Sequence, residues 1–231
     1  MESVIPLYVI ITAGGRGSRM GADIAKQFLE LDGVPILYKS IELFLKLEIE
    51  KEIILVLPSD YKEYWKKYCL DHSIWFRHRL VSGGITRFHS VRNAMKHIPD
   101  GAKVLVHDGV RPFVPEELLK RLLDFRMGEE DAYGAIPVLP AIDSMRERLD
   151  DGSTRIVNRD RYLFVQTPQL FDSTRLKMAY SQAYSPSFTD DASVFENAGY
   201  KIATVEGSRL NIKITTPDDL KTGAAILSLM K

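Results

Sequence analysis

Gly14, Gly15 and Gly17 stand among Arg16, Arg19 and Lys26 in the stretch ITAGGRGSRMGADIAKQF, residues 11–28. Glycine lets backbone N–H groups close on an anion, and the cations neutralise it. Together they offer a polyphosphate cradle at the carboxyl end of a first strand, 7–11. The spacing departs from G-x-G-x-x-G, because the run from Gly15 arrives at Met20, and no G-x-x-x-x-G-K-[ST] occurs. That removes the dinucleotide and P-loop readings. A tight strand-to-helix turn without a ligand is the bland alternative.

A second group is His107-Asp108-Gly109-Val110-Arg111. A carboxylate just past an apolar strand is placed to hold Mg²⁺, a hard cation that takes few carboxylates together with phosphate oxygens. An aspartate capping the next turn has the same spacing; a nucleoside triphosphate, which travels with Mg²⁺, tips the balance to the metal. His107 reads as a packed residue rather than a catalyst. No H-x-x-x-H or Cys/His cluster supports zinc. A third group, Ser82-Gly83-Gly84-Ile85-Thr86 up to Ser90, opens a helix and could read a base edge through main-chain groups; a plain loop with an N-cap fits equally. Thr189-Asp190-Asp191 and Asn211-Ile212-Lys213-Ile214 are polar clusters of the same kind. Lys213 alternates with two isoleucines, so its ordinary reading is a solvated lysine.

Alternating strands and helices must position these groups. Short β-branched runs fall at 7–11, 52–57, 79–81, 103–106, 135–138, 201–205 and 211–214. Helical patterns fall at 36–47, 61–69, 86–97, 116–126, 174–184, 192–198 and 217–230. Asp60, Asp172 and Thr216 are candidate N-caps, with Pro217 at a first helical position. This order predicts a mainly parallel α/β sheet with helices on both faces, binding ligands beyond the carboxyl ends of its strands. Residues 141–166 break the pattern: two runs flank Asp151-Gly152, a hairpin-turn signal, and predict a protruding β-hairpin. The reading is a single domain, 1–231, with the hairpin as an excursion.

Lys plus Arg and Asp plus Glu are both 31 in 231 residues, so no global basic field invites nucleic acid. No apolar run approaches the ~20 residues that span a bilayer. The opening MESVIPLYVIITAGG lacks a basic n-region and reads as a buried strand rather than a signal peptide. Cys69 is the single cysteine and reads as a small packed hydrophobe. The expected setting is cytoplasmic.

In order along the chain, AGGRGSRM…KQF, SGG…R..SV, HDGVRPF, TPQ, TDDAS and NIKITTPDDL resemble the 2-C-methyl-D-erythritol 4-phosphate cytidylyltransferases. The resemblance runs from about Val9 to Leu220. It implies a Rossmann-like nucleotidyltransferase sheet and transfer of CMP from CTP to methylerythritol phosphate, releasing pyrophosphate. Arg19 and Lys26 match the transition-state stabilisers and Asp108 the Mg²⁺ ligand. Ala13, Gly14, Gly83 and Ser90 match positions around cytidine, Gly15 and Gly17 belong to the same loop, Arg111 corresponds to an arginine of its motif, and all seven are expected to bind the nucleotide. Ser144, Arg159, Thr189 and Lys213 match positions that grip the sugar phosphate. The resemblance also implies a homodimer in which the hairpin arm swaps, so that Arg159 serves the neighbouring site. Leu210 stands where many relatives carry an acidic residue near the metal, and Ser144 replaces a common threonine. The nearest rival is a ribitol 5-phosphate cytidylyltransferase. A nucleotide-binding regulator without catalysis is a further alternative, against which Arg19, Lys26 and Asp108 together argue.

Overall fold

The computed structural model describes residues 5–14 and 25–229. Its strands, in chain order, are β1 (Leu7–Thr12), β2 (Glu30–Leu31), β3 (Val34–Pro35), β4 (Lys51–Leu57), β5 (His78–Ser82), β6 (Lys103–Asp108), β7 (Ala132–Pro140), β8 (Met145–Arg148), β9 (Thr154–Val157), β10 (Leu163–Val165), β11 (Gln169–Asp172) and β12 (Lys201–Glu206). The helices are α1 (Ile36–Leu45), α2 (Lys62–Asp71), α3 (Arg87–Met95), α4 (Glu116–Leu123), α5 (Ser173–Ser181), α6 (Asp191–Asn197) and α7 (Pro217–Leu229).

The central sheet has eight strands in the order β10-β7-β11-β6-β1-β4-β5, with β12 also on β7. β1 lies parallel between β4 and β6, and β5 extends the parallel half. β12 is parallel to β7, whereas β10 and β11 run antiparallel.

Side chains alternate across the strands, so each strand feeds two cores. Val9, Ile11, Ile53, Leu55 and Leu105 pack under Leu37, Ile41, Phe44, Trp65 and Leu118 on one face. Ile10, Ile54, Val56, Val104 and Val106 pack under Val91, Leu176, Tyr180 and Phe195 on the other. That is why β1 and β4 read as unbroken apolar runs: both faces are covered by helices. Ile214 and Ile226 join Ile36 and Phe113 in a third, smaller core around α7.

Most predicted elements form, with three corrections. Residues 211–214 are not a strand. β6 is already flanked by β1 and β11, so no ladder position is open, and Ile214 N–H reaches only Val110 O at 2.9 Å. The alternation still holds in part, because Ile214 is fully buried. Asp60 caps nothing: a helical turn at Ser59–Tyr61 intervenes, and α2 starts after Tyr61 without a side-chain cap. β11 is an antiparallel strand that its short QLFD sequence did not announce. Asp172 and Thr216 do cap, accepting from Arg175 N at 2.9 Å and Asp219 N at 3.3 Å. The expected hairpin is β8 paired with β9.

Gly134 on β7 faces Phe171 of β11. A Cβ there would stand 2.8 Å from Phe171 Cδ1 and 3.2 Å from Leu170 O. Gly134→Ala should lower stability by about 1–3 kcal/mol through overpacking, seen as an earlier urea midpoint; an unchanged midpoint would contradict this packing.

Candidate active site

The β1–β6 register sets Thr12 opposite Asp108, and β4–β5 sets Leu57 opposite Ser82. The loops leaving these strand ends surround two adjoining cavities. The first, about 240 Å³, is bordered by Ala13, Gly14, Lys26, Gly84 and Ser90. The second, about 440 Å³, is bordered by Arg111, Gln166, Thr167, Gln169 and Thr189. Arg87, Asp108 and Lys213 border both.

Asp108 is the electrostatic centre. Its Oδ2 meets Lys213 Nζ at 2.8 Å and Arg111 Nε at 3.5 Å, and its Oδ1 lies 3.6 Å from Arg87 Nε. Burial alone would raise its pKa, but the charges of Arg87, Lys213 and Arg111 overturn that and hold the carboxyl well below the usual carboxylate range. Lys213 is thus not the solvated lysine that alternation suggested; it leaves the isoleucine face and lands on a carboxylate.

A neutral histidine braces this group from beneath. Thr167 Oγ1 accepts from Asp108 N–H at 3.1 Å and donates to His107 Nδ1 at 3.1 Å. His107 Nε2 faces the Arg111 carbonyl at 3.0 Å, so the proton sits on Nε2. Burial lowers the His107 pKa to about 4, with the Asp108 charge only partly opposing it. Arg111 Nη1 donates to Asn211 O at 2.8 Å, and Asn211 Nδ2 to Thr167 O at 2.8 Å, which tie the Lys213 segment to the end of β6.

The first cavity is shaped by close backbone approach. Gly84 N–H donates to Ser90 Oγ at 3.0 Å, and Ser90 Oγ donates to Thr86 O at 3.0 Å. A Cβ on Gly84 would fall 2.4 Å from His89 Cβ, so this loop admits only glycine there. Cβ atoms on Gly83 and Gly14 would lie 3.3 and 3.7 Å from Ser90 Oγ. Gln27 Nε2 pins Ala13 O at 2.8 Å and so fixes the chain just before the glycine loop.

The structure therefore gathers Ala13, Gly14, Ser90 and Lys26 around one cavity, with Gly83 packed behind Ser90, and places Thr189 around the other together with Arg111, which was expected on the nucleotide side, with Asp108 and Lys213 between. Ser144 and Arg159 are not brought to either. Both are exposed near the arm, where Arg159 Nη1 donates to Ile142 O. Gly15, Arg16, Gly17 and Arg19 lie outside the described residues. His107 and Cys69 are the packed residues expected, and burial pushes the Cys69 thiol up to about 11.

The sequence reading missed two members. Arg87, the first residue of α3, bridges Asp108 to Asp191, which sits 104 positions away in the chain. Asp191 itself is hidden behind Asp190, whose side chain forms a capping box with Ser193. The local cue was an arginine directly after a glycine turn and paired aspartates opening a helix; the partnership between them is tertiary.

The sequence model of the 2-C-methyl-D-erythritol 4-phosphate cytidylyltransferase family matches residues 7–229. A protein of that name from Bacteroides thetaiotaomicron is 46% identical over 219 residues, covering 95% of this chain and 98% of the relative. One from Alkaliphilus metalliredigens is 38% identical, covering 96% and 93%. Among solved structures, a 4-diphosphocytidyl-2C-methyl-D-erythritol synthase from Anaerococcus prevotii superposes with a TM-score of 0.79 at 30% identity, covering 96% of each chain. A 2-C-methyl-D-erythritol 4-phosphate cytidylyltransferase from Francisella tularensis gives 0.75 at 29%, covering 95% and 99%.

His107 also sets a pH dependence. Its folded pKa lies near 4, below the ordinary 6.5, so the unfolded chain binds the extra proton between those values. Stability contributed by neutral His107 is present above about pH 6.5 and is lost as pH falls towards 4. Tm should fall across that window, and His107→Gln should flatten this part of the slope; equal slopes in the two proteins would contradict the assignment.

Proposed function

The chain belongs to the 2-C-methyl-D-erythritol 4-phosphate cytidylyltransferase family, and from that membership we propose how its two cavities divide the reaction. CTP occupies the first cavity and the sugar phosphate the second. An oxygen of the acceptor phosphate attacks the α-phosphorus of CTP, a P–O bond forms, and the bond to the departing pyrophosphate breaks. The observation that carries this reading is the shared wall: Arg87, Asp108 and Lys213 face both cavities. Two polyanions can meet only where fixed cations oppose their repulsion, and positioning plus electrostatics then supply most of the rate.

Ala13, Gly14, Gly83 and Ser90 leave room for a flat pyrimidine. The Ser90 hydroxyl donates to Thr86 O and accepts from Gly84 N–H, so it offers one remaining lone pair. Lys26 borders the same cavity and, with Arg19, stabilises charge on the phosphates as the bond breaks. In the second cavity Thr189, Arg111 and Lys213 hold the acceptor phosphate. Arg111 Nε is buried there without a hydrogen bond among the described residues, a donor that an acceptor oxygen would satisfy.

The donor set also suits Mg²⁺. Asp108 is a hard oxygen ligand whose Oδ2 is held by Lys213, while Oδ1 meets, among the described residues, Arg87 Nε at 3.6 Å. A single carboxylate matches a cation that keeps its waters and binds mainly through phosphate oxygens. Among the described residues no group of three or more His, Cys, Asp or Glu side chains could hold a metal by protein ligands alone. Mg²⁺ bound with CTP would neutralise phosphate charge beside Asp108.

The arm completes the site in a homodimer. Leu163, Phe164 and Val165 of β10 are 52%, 55% and 42% exposed, and Ile156 at the arm is 70% exposed. An apolar strand at a sheet edge invites a partner. A second copy covering it would carry Ser144 and Arg159 to the neighbouring acceptor cavity, which neither residue reaches in its own chain. Among the described residues no helix is long and apolar enough to cross a membrane. Small charged substrates fit an enzyme working in the cytoplasm, without nucleic acid.

Pyrophosphate release from CTP, measured with methylerythritol 4-phosphate and with ribitol 5-phosphate, tests the acceptor. Faster turnover with the first is expected; preference for ribitol 5-phosphate, or CTP binding without turnover, overturns the reading. Lys26→Ala should slow turnover ~100-fold or more, as loss of a transition-state charge contact does; an unchanged rate removes Lys26 from the mechanism. Mixed Arg159→Ala and Lys26→Ala subunits should recover activity after exchange, because one class of site in the heterodimer regains both residues. No recovery would count against the swapped arm.

A further inference from the structure

Asp191 borders neither cavity, yet it is fully buried and committed on both oxygens. Oδ1 accepts from the Tyr180 hydroxyl at 2.5 Å, and Oδ2 from Arg87 Nη2 at 2.5 Å. Arg87 Nε, on the same edge of the guanidinium, stops 3.6 Å from Asp108 Oδ1, beyond hydrogen-bond range. One arginine is thus shared between two carboxylates, tightly with the buried one and loosely with the one on the cavity wall. Burial would lower the Arg87 pKa, but Asp191 and then Asp108 raise it above the ordinary value, so the guanidinium stays charged.

Left to itself, a guanidinium beside a carboxylate closes to a bidentate pair. Here Lys213 and Arg111 meet Oδ2, so among the described residues the closure would fall on Asp108 Oδ1 through Arg87 Nε alone. We propose that Asp191 is a positioning residue: by hydrogen-bonding Arg87 Nη2, it holds the guanidinium off Asp108 and keeps Oδ1 open to the ligand of the nucleotide cavity. The same contact ties the start of α3, which follows the glycine turn at Gly83-Gly84, to the start of α6, which follows Thr189. The two substrate loops are thereby fixed at one separation. Nothing in this role needs Asp191 to touch a substrate.

The inference rests on the cytidylyltransferase reading, so the first control is turnover by the unaltered dimer with CTP and methylerythritol 4-phosphate. Failure there removes the reading; success with unaffected variants removes only the positioning role. Calorimetric binding of CTP in the presence of Mg²⁺ is then compared across variants. Asp191→Asn should weaken CTP binding ~10–100-fold, the usual scale for losing a group that orients a ligand-binding side chain, and raise KM for CTP more than that for the acceptor. Tyr180→Phe removes only the hydroxyl on Oδ1; it should bind CTP within about twofold of the unaltered protein even if its Tm falls. The double variant Arg87→Gln/Asp191→Asn should lose no more affinity than the worse single variant. Normal CTP binding by Asp191→Asn, losses that multiply in the double variant, or losses that track Tm across all variants would overturn the proposal. Should Asp191→Asn not fold, Arg87→Lys gives the same test, because an ammonium is a point charge that cannot span both carboxylates; normal CTP affinity there overturns the proposal equally.

Discussion

Asp108 sits at the end of β6 with only 10% of its side chain exposed and, among the described residues, three cations around it. A buried carboxylate is tolerated when its charge is paired and its lone pairs are used. The pairing is uneven, close on Oδ2 and loose on Oδ1, and that unevenness organises everything nearby. Lys213 and Arg111 are drawn from a loop after β12 and from the turn after β6. Arg87 is drawn from α3 but restrained by Asp191. His107 and Thr167 hold the backbone of the same residue from behind. A polyanion entering either cavity meets cations partly buried and held in place, where their attraction is stronger than in water.

The place of this carboxylate follows from the order of strands. The chain builds β1, β4 and β5 outward in one direction, then returns to lay β6 on the other side of β1. The loops leaving β1 and β6 stand side by side where the strand order reverses, although α1 and α4 that follow them pack on the same face, and the crevice outside such strand ends is where an open α/β sheet binds its ligand. Thr12 and Asp108 are register partners at that crevice. The antiparallel half, β7 with β10 and β11, supplies the second cavity and roots the arm. The first cavity, proposed for the nucleotide, thus sits on parallel sheet and the second, proposed for the acceptor, on mixed sheet, and the shared wall of Arg87, Asp108 and Lys213 is their seam.

Much of this was legible from residues alone, because the signals were local. Unbroken apolar runs at 7–11 and 104–106 announced strands buried on both faces, and Asp151-Gly152 announced the hairpin. Gly14, Ser90 and Asp108 were found as site candidates because each belongs to a polar motif at or after the carboxyl end of a strand. The misses were non-local. Residues 211–214 have strand-like alternation, but β6 had no free edge for them. Lys213 looked solvated because its sequence neighbours say nothing of Asp108, and Asp60 lost its capping place to an extra helical turn. Arg87 and Asp191 are far apart in the chain, and their pairing exists only once α3 and α6 pack. Arg159 borders neither cavity of its own chain, so the role expected for it rests on the proposed second copy.

The central claim is that the Asp108 carboxylate, not merely the space around it, organises both substrates. Its most direct test is the turnover number of Asp108→Asn for pyrophosphate release at saturating CTP and methylerythritol 4-phosphate, in a variant whose circular dichroism matches the unaltered protein. The amide keeps the shape but removes the charge. The account predicts a fall of ~100-fold or more in kcat; a kcat within about threefold of the unaltered enzyme would contradict it.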